Sequence, residues 1–156
     1  MFRLAFISLL LAMVSGPAFA ATTRASVDVA EGAFAEQRKA IEADLADGET
    51  YSEISTEDRA TVNQALDRIA GLFQTYGSVE RLSWEDRTQM FNDQEQINNI
   101  LTKAGEDSRL VCRREKKVGS HRVTTQCSTV ANRRRAMEDS QNVLRDNRRI
   151  ILPAGN

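Results

Sequence analysis

Cys112 and Cys127 lie at equal distances on either side of the dipeptide Gly119-Ser120, and the residues between them are rich in Val, Thr and cations. Two β-prone runs, 110–115 and 122–130, with Gly-Ser between them read as an antiparallel hairpin. Centred on Gly119-Ser120, that hairpin sets Cys112 directly opposite Cys127. Gly119 at the first central position suits a type II′ turn, and a four-residue loop from Val118 to His121 keeps the same centre. Hydrogen-bonded and non-hydrogen-bonded pairs both bring α-carbons within disulfide reach, so the pair type stays open. The alternative, two free thiols in redox work, lacks the Cys-x-x-Cys spacing of that chemistry.

A persistent disulfide needs an oxidising compartment, and the first twenty residues describe a route to one. Arg3, the apolar run 4–14 and Ala18-Phe19-Ala20 follow the order of a Sec-type signal peptide cleaved after Ala20. The run is shorter than the roughly 20 apolar residues of a membrane span. No cysteine follows it for lipid attachment, and a single arginine does not make a twin-arginine signal. The expected location is the periplasm or the medium, with no transmembrane segment in the mature chain; a retained N-terminal anchor is the alternative.

Cleavage leaves 136 residues, of which 27 are Leu, Ile, Val or Phe. That is close to the one-fifth level below which chains tend to disorder, so the core must be small. Helical spacing organises most of it. Asp28 with Glu31 offers a helix start, and Ala30, Phe34, Ile41 and Leu45 share a face that polar Gln37 interrupts, before Gly48. Ser55 or Thr56 caps a second helix with Glu57 and Asp58 in its first turn, the stripe Val62, Leu66, Ile69, Phe73 and Tyr76, and Gly77 as its stop. Ser83 with Asp86 opens a third, whose stripe of Met90, Gln94, Ile97 and Leu101, flanked by Phe91 and Ile100, is expected to end at Gly105. Short connections between three such helices predict a small antiparallel bundle.

After the hairpin, Ser128 or Thr129 caps a last helix. Its apolar residues Val130, Met137, Leu144 and Ile151 recur every seven, and Pro153 and Gly155 follow. One apolar residue per heptad is a thin stripe: such a helix is loosely attached or completed by a partner. The fold class is therefore mainly α, a small antiparallel helical bundle plus one disulfide-closed β-hairpin and a C-terminal helix. The expected parts are a signal peptide at 1–20, an acidic bundle at 21–106, the hairpin at 107–130, and a basic helix and tail at 131–156.

The segment Phe91-Asn92-Asp93-Gln94-Glu95-Gln96-Ile97-Asn98, with Cys112-Arg113-Arg114-Glu115, Gly119-Ser120-His121 and Cys127 after it, resembles small exported proteins of Gram-negative bacteria that carry no assigned function. The resemblance spans about residues 54–149. It implies the hairpin and an exported location, and it brings no activity, cofactor or ligand.

Familiar chemistries are mostly ruled out by composition. His121 is the only histidine, which excludes zinc sites that need two histidines, and it falls on the predicted turn, a poor place for a catalytic triad. No phosphate-cradling or dinucleotide-binding glycine motif and no EF-hand loop occurs. Glu57-Asp58 and Glu85-Asp86 fit helix N-terminal charges better than a glycosidase acid and base. No catalytic residue, metal or cofactor is assigned, and an envelope hydrolase using carboxylates is the alternative reading. Gln94, within an apolar stripe and near Asn92 and Asn98, needs hydrogen-bond partners. Gln94 or Asn98 is expected to tie the third helix to another backbone segment, with ligand binding as the alternative.

Charge is the functional lead. Residues 21–106 hold eight basic and seventeen acidic side chains, a balance of −9, whereas 107–156 hold twelve and five, a balance of +7. The hairpin's Arg113, Arg114, Lys116, Lys117 and Arg122 outweigh Glu115, which predicts a basic finger for an anionic partner. The alternatives are a solvated basic face, or one neutralised by the acidic bundle. No Phe, Tyr or Trp follows Phe91, so the basic half lacks stacking platforms for bases, and sequence-specific nucleic-acid binding is excluded. The expected role is a non-enzymatic exported interaction or structural protein contacting an acidic protein or a phosphorylated envelope component.

Overall fold

A computed structural model describes residues 25–30, 33–116, 118–119 and 121–151. Residues 1–20 and the cleavage position after Ala20, together with Lys117, Ser120, Pro153 and Gly155, lie outside the described residues.

Among the described residues, four α-helices and one β-ribbon follow in chain order. Helix α1 is Phe34–Ala46, α2 is Thr56–Tyr76 and α3 is Trp84–Ser108; β1 is Leu110–Lys116, β2 is Val123–Thr129, and α4 is Val130–Ile151. Local signals set most boundaries. Ser55 Oγ accepts the Asp58 N–H at the start of α2, and Gly77 closes it at φ +79°, a backbone state that suits glycine. Ser83 Oγ accepts the Asp86 N–H and donates to the Asp86 carboxylate. The stripes of these helices meet in one core that includes Ile41, Leu45, Val62, Leu66, Ile69, Met90, Ile97 and Leu101. Arg38 of α1 pairs with Asp67 of α2, while Arg59 of α2 donates to the Leu45 carbonyl. As α1 advances α2 therefore runs back, which is the antiparallel packing expected.

Two boundaries differ from expectation. Helix α1 begins at Phe34, with no side chain capping Ala33. The expected starter Asp28 instead folds its carboxylate onto the Ala30 N–H at 2.9 Å, a local turn that competes with helix. Residues 25–28 belong to neither helix nor strand, and Val27 and Val29 are buried in the core. Helix α3 runs past Gly105 to Ser108, because its last turn is held by tertiary contacts: Ala104, Gly105 and Ser108 are buried, and Ser108 Oγ accepts the Glu53 N–H. Phe91, placed beside the stripe, is 40 % exposed, while its neighbour Asp93 is buried.

The ribbon has the predicted register. Cys112 pairs with Cys127, and the run extends from Leu110 opposite Thr129 to Lys116 opposite Val123. The disulfide joins the two cysteines across a Cα–Cα distance of 4.0 Å. That distance belongs to the narrow, non-hydrogen-bonded type of pair. Periodicity agrees: the Val130 N–H donates to the Arg109 carbonyl, and pair type alternates along the three steps from there to the disulfide. The strands stop at Lys116 and Val123, so the connection is six residues, longer than either expected turn but with the same centre. Gly119 sits in it at φ +79°.

Candidate interaction surface

The ribbon buries almost nothing. Of its fourteen strand residues, Val111, Ser128 and Thr129 at the base are half-buried and all the rest are exposed. A two-stranded ribbon without a buried face is marginal in water, so the disulfide is its main brace. Strand alternation divides the predicted contact residues between two faces. Arg114 and Lys116 share the disulfide face with Leu110, Thr125 and Val123. Arg113 lies on the opposite face with Glu115, Gln126 and Ser128. The strand cations of the expected finger thus divide between its two faces; Arg122 is exposed in the connecting loop, and Lys117 is outside the described residues. Directly across the strands, Arg113 meets Gln126, Arg114 meets Thr125 and Lys116 meets Val123. Among the described residues Arg113, Arg114 and Lys116 have no ion-pair partner.

Helix α4 rises from the ribbon's base. Thr129 caps it by accepting the Asn132 N–H, and Ala131 is buried at its root. From Arg134 to Arg148 every residue is exposed, including Met137, Val143 and Leu144 at 62, 60 and 68 %. An open groove of about 530 Å³ lies between its first turn and the ribbon, lined by Arg113, Glu115, Gln126, Ser128, Asn132 and Arg133.

Two carboxylates stitch this basic half to the bundle. Glu53, in the loop between α1 and α2, accepts hydrogen bonds from Thr129 and from Arg135, the latter at 2.9 Å. Asp107 near the end of α3 takes both arms of Arg134 at 2.8 and 3.2 Å. Part of the basic half is therefore neutralised by the acidic bundle of the same molecule, and the signal for it was the positive run Arg133-Arg134-Arg135 itself. The Arg135 and Thr129 hydrogen bonds hold the Glu53 carboxyl below its ordinary value of 4.5, and Arg134 does the same to Asp107 relative to 3.8. Depressed carboxyls stabilise the folded state fully above their ordinary values, and that share is lost as acid titrates through the lower folded values. Acidification from pH 6 down through these depressed values should therefore loosen the first turns of α4, an effect that solvent screening of the exposed arginines keeps small. Nitrogen-15 relaxation of residues 130–135 checks this. Glu53→Gln should show part of the loosening already at pH 6; rigid α4 turns throughout the titration would contradict the clasp.

Gln94 and Asn98 both touch the segment 25–30. Asn98 Nδ2 donates to the Val27 carbonyl and its Oδ1 accepts the Val27 N–H, each at 2.9 Å, while Gln94 Oε1 accepts the Val29 N–H. Asn92 is exposed. Sequence reasoning missed Asp93, whose carboxylate is buried in α3 and holds Arg68 of α2 through two hydrogen bonds of 3.0 and 2.7 Å.

Glu57-Asp58 and Glu85-Asp86 sit in the first turns of α2 and α3, and His121 is exposed in the ribbon's loop. Glu42 and Asp67 share a groove between α1 and α2, but Arg38 bridges them at 2.7 and 2.8 Å. Among the described residues no three His, Cys, Asp or Glu side chains converge as a metal site, and no helix is long and apolar enough to cross a membrane. Comparison of the chain with protein-family models, with curated proteins and with solved structures returns no match.

Proposed function

We propose that this is an exported interaction protein whose disulfide-braced ribbon presents cations to an anionic protein or a phosphorylated envelope component. One observation carries the reading: a covalent brace holds a segment that adds almost nothing to the core, while Arg113, Arg114 and Lys116 stand on it with no ion-pair partner among the described residues. A brace of that kind pre-organises a contact surface and reduces the ordering cost of binding. The helical bundle then serves as the base on which Glu53 and Asp107 fix the ribbon and α4. Arg134 and Arg135 are engaged in that attachment, so the contact role falls to the ribbon cations and to Arg133 in the groove.

Affinity capture from a periplasmic extract at low and high salt tests the reading face by face. Arg114→Ser with Lys116→Ser removes the cations of the disulfide face, and Arg113→Ser with Arg133→Ser removes those of the groove. At least one pair should weaken capture about tenfold, the effect of losing roughly 1.4 kcal/mol of surface charge contact, and added salt should weaken capture by the unsubstituted protein. Capture unchanged by both pairs and by salt would refute an anionic partner.

A further inference from the structure

The segment 25–30 is held in a way that treats it as a ligand. Five hydrogen bonds join it to α1 and α3, and each is made by a side-chain amide to main chain. On the α3 side, Asn98 grips both the N–H and the carbonyl of Val27, and Gln94 accepts the N–H of Val29. On the α1 side, Gln37 grips both groups of Asp28, accepting its N–H at 2.8 Å and donating to its carbonyl at 3.1 Å. The spacing is matched. Four residues of helix advance about 6 Å and two residues of strand about 6.6 Å. Amides at 94 and 98 therefore meet alternate residues, Val27 and Val29, of a segment running antiparallel to α3, the pairing that an extended peptide would present.

Main-chain hydrogen bonds do not distinguish side chains. In this groove, identity is read at Val27 and Val29, which are each 1 % exposed, and the residue between them turns its carboxylate back onto the segment's own Ala30 N–H. This division of labour, backbone bonds for affinity and alternate pockets for specificity, is that of peptide recognition in extended form. We propose that the groove between α1 and α3 is a peptide-binding site, filled in cis by the chain's own segment and able to take in trans an extended peptide with small aliphatic side chains at two alternate positions. Exchange needs the cis segment to lift. A tethered segment competes at an effective concentration on the order of millimolar, so the trans ligand binds at high local concentration or when the segment is displaced.

The probe is a synthetic peptide with the sequence of residues 25–30, and the control peptide carries Asp at both Val positions. In the intact protein, excess peptide should trap the lifted state and speed hydrogen exchange of the Val27 and Val29 amides of the chain at least fivefold, while the control peptide leaves them unchanged. In a Val27→Asp, Val29→Asp chain the cis segment is ejected. The peptide should then return the side-chain amide resonances of Gln94 and Asn98 to their positions in the intact protein. If that variant does not fold, the exchange measurement decides alone. Unchanged exchange at saturating peptide, or equal effects of the two peptides, would overturn the proposal. Neither readout involves the ribbon, so the anionic-partner reading stands or falls separately.

Discussion

Replacing Arg68 with alanine should destabilise the helical bundle by about 3 kcal/mol, the lower end of the range for stranding a buried charge. The reason lies in the unequal burial of the two partners. The Asp93 side chain is 2 % exposed while that of Arg68 is 46 % exposed. Two guanidinium hydrogen bonds and one from Gln89, at 3.1 Å, serve the carboxylate. Without Arg68 the carboxylate stays between α2 and α3 with Gln89 alone, and removal of a charge-assisted pair from a buried acceptor carries nearly the full desolvation penalty. Asp93→Ala acts on the other partner. Arg68 is half in water already and rehydrates easily, so that variant should lose about 1–2 kcal/mol. An apolar pair, Arg68→Met with Asp93→Leu, should recover most of the stability. Urea denaturation of the four proteins measures all three values. A larger loss for Asp93→Ala than for Arg68→Ala would refute the asymmetry, and an apolar pair as unstable as Arg68→Ala would refute the charge-burial explanation.

The same residue shows where sequence reasoning stops. Helix α2 was legible because its signals are local: Ser55 at the cap, acids in the first turn, a stripe of period 3.6, and Gly77 where the chain leaves the helix at positive φ. The ribbon was legible because two cysteines and a turn share one centre, and symmetry fixes register without knowledge of the rest of the fold. Asp93 carries no such mark. Its burial depends on an arginine 25 residues earlier, a distance at which spacing within a helix says nothing. The segment at 25–30 failed for a related reason: Asp28 and Glu31 resemble a helix start, but three amides from α1 and α3 satisfy its backbone groups instead of helical hydrogen bonds. Gln94 and Asn98 did stand out as polar residues beside an apolar stripe. What they hold could be seen only in three dimensions. The division of the ribbon cations between two faces, by contrast, follows from strand parity alone and was within reach of the sequence.

Loss of the disulfide should melt the ribbon and leave the bundle folded. In a Cys112→Ser, Cys127→Ser chain the closed loop of 15 residues is released, and the chain-entropy value of that closure is about 3 kcal/mol. Where the loss appears depends on what else holds the segment. A core element would pass it to global stability, but the strands from Cys112 to Cys127 bury nothing, and a ribbon of two exposed strands has little of its own to retain it. The base is different. The bond from the Val130 N–H to the Arg109 carbonyl, the Glu53 to Thr129 contact and the Glu53 to Arg135 pair all persist without the cysteines. Amide exchange in 112–127 should therefore accelerate by about two orders of magnitude, the factor that corresponds to 3 kcal/mol, while α2 and α3 keep their protection. Thermal melting of the helices should shift little. Capture of the proposed anionic partner should fall with the ribbon even though every cation is still present, since disordered cations must be ordered again on binding. Unchanged exchange across 112–127 would show that the strands persist without their brace. Full capture by a melted ribbon would show that charge alone, without a fixed surface, is what the partner reads.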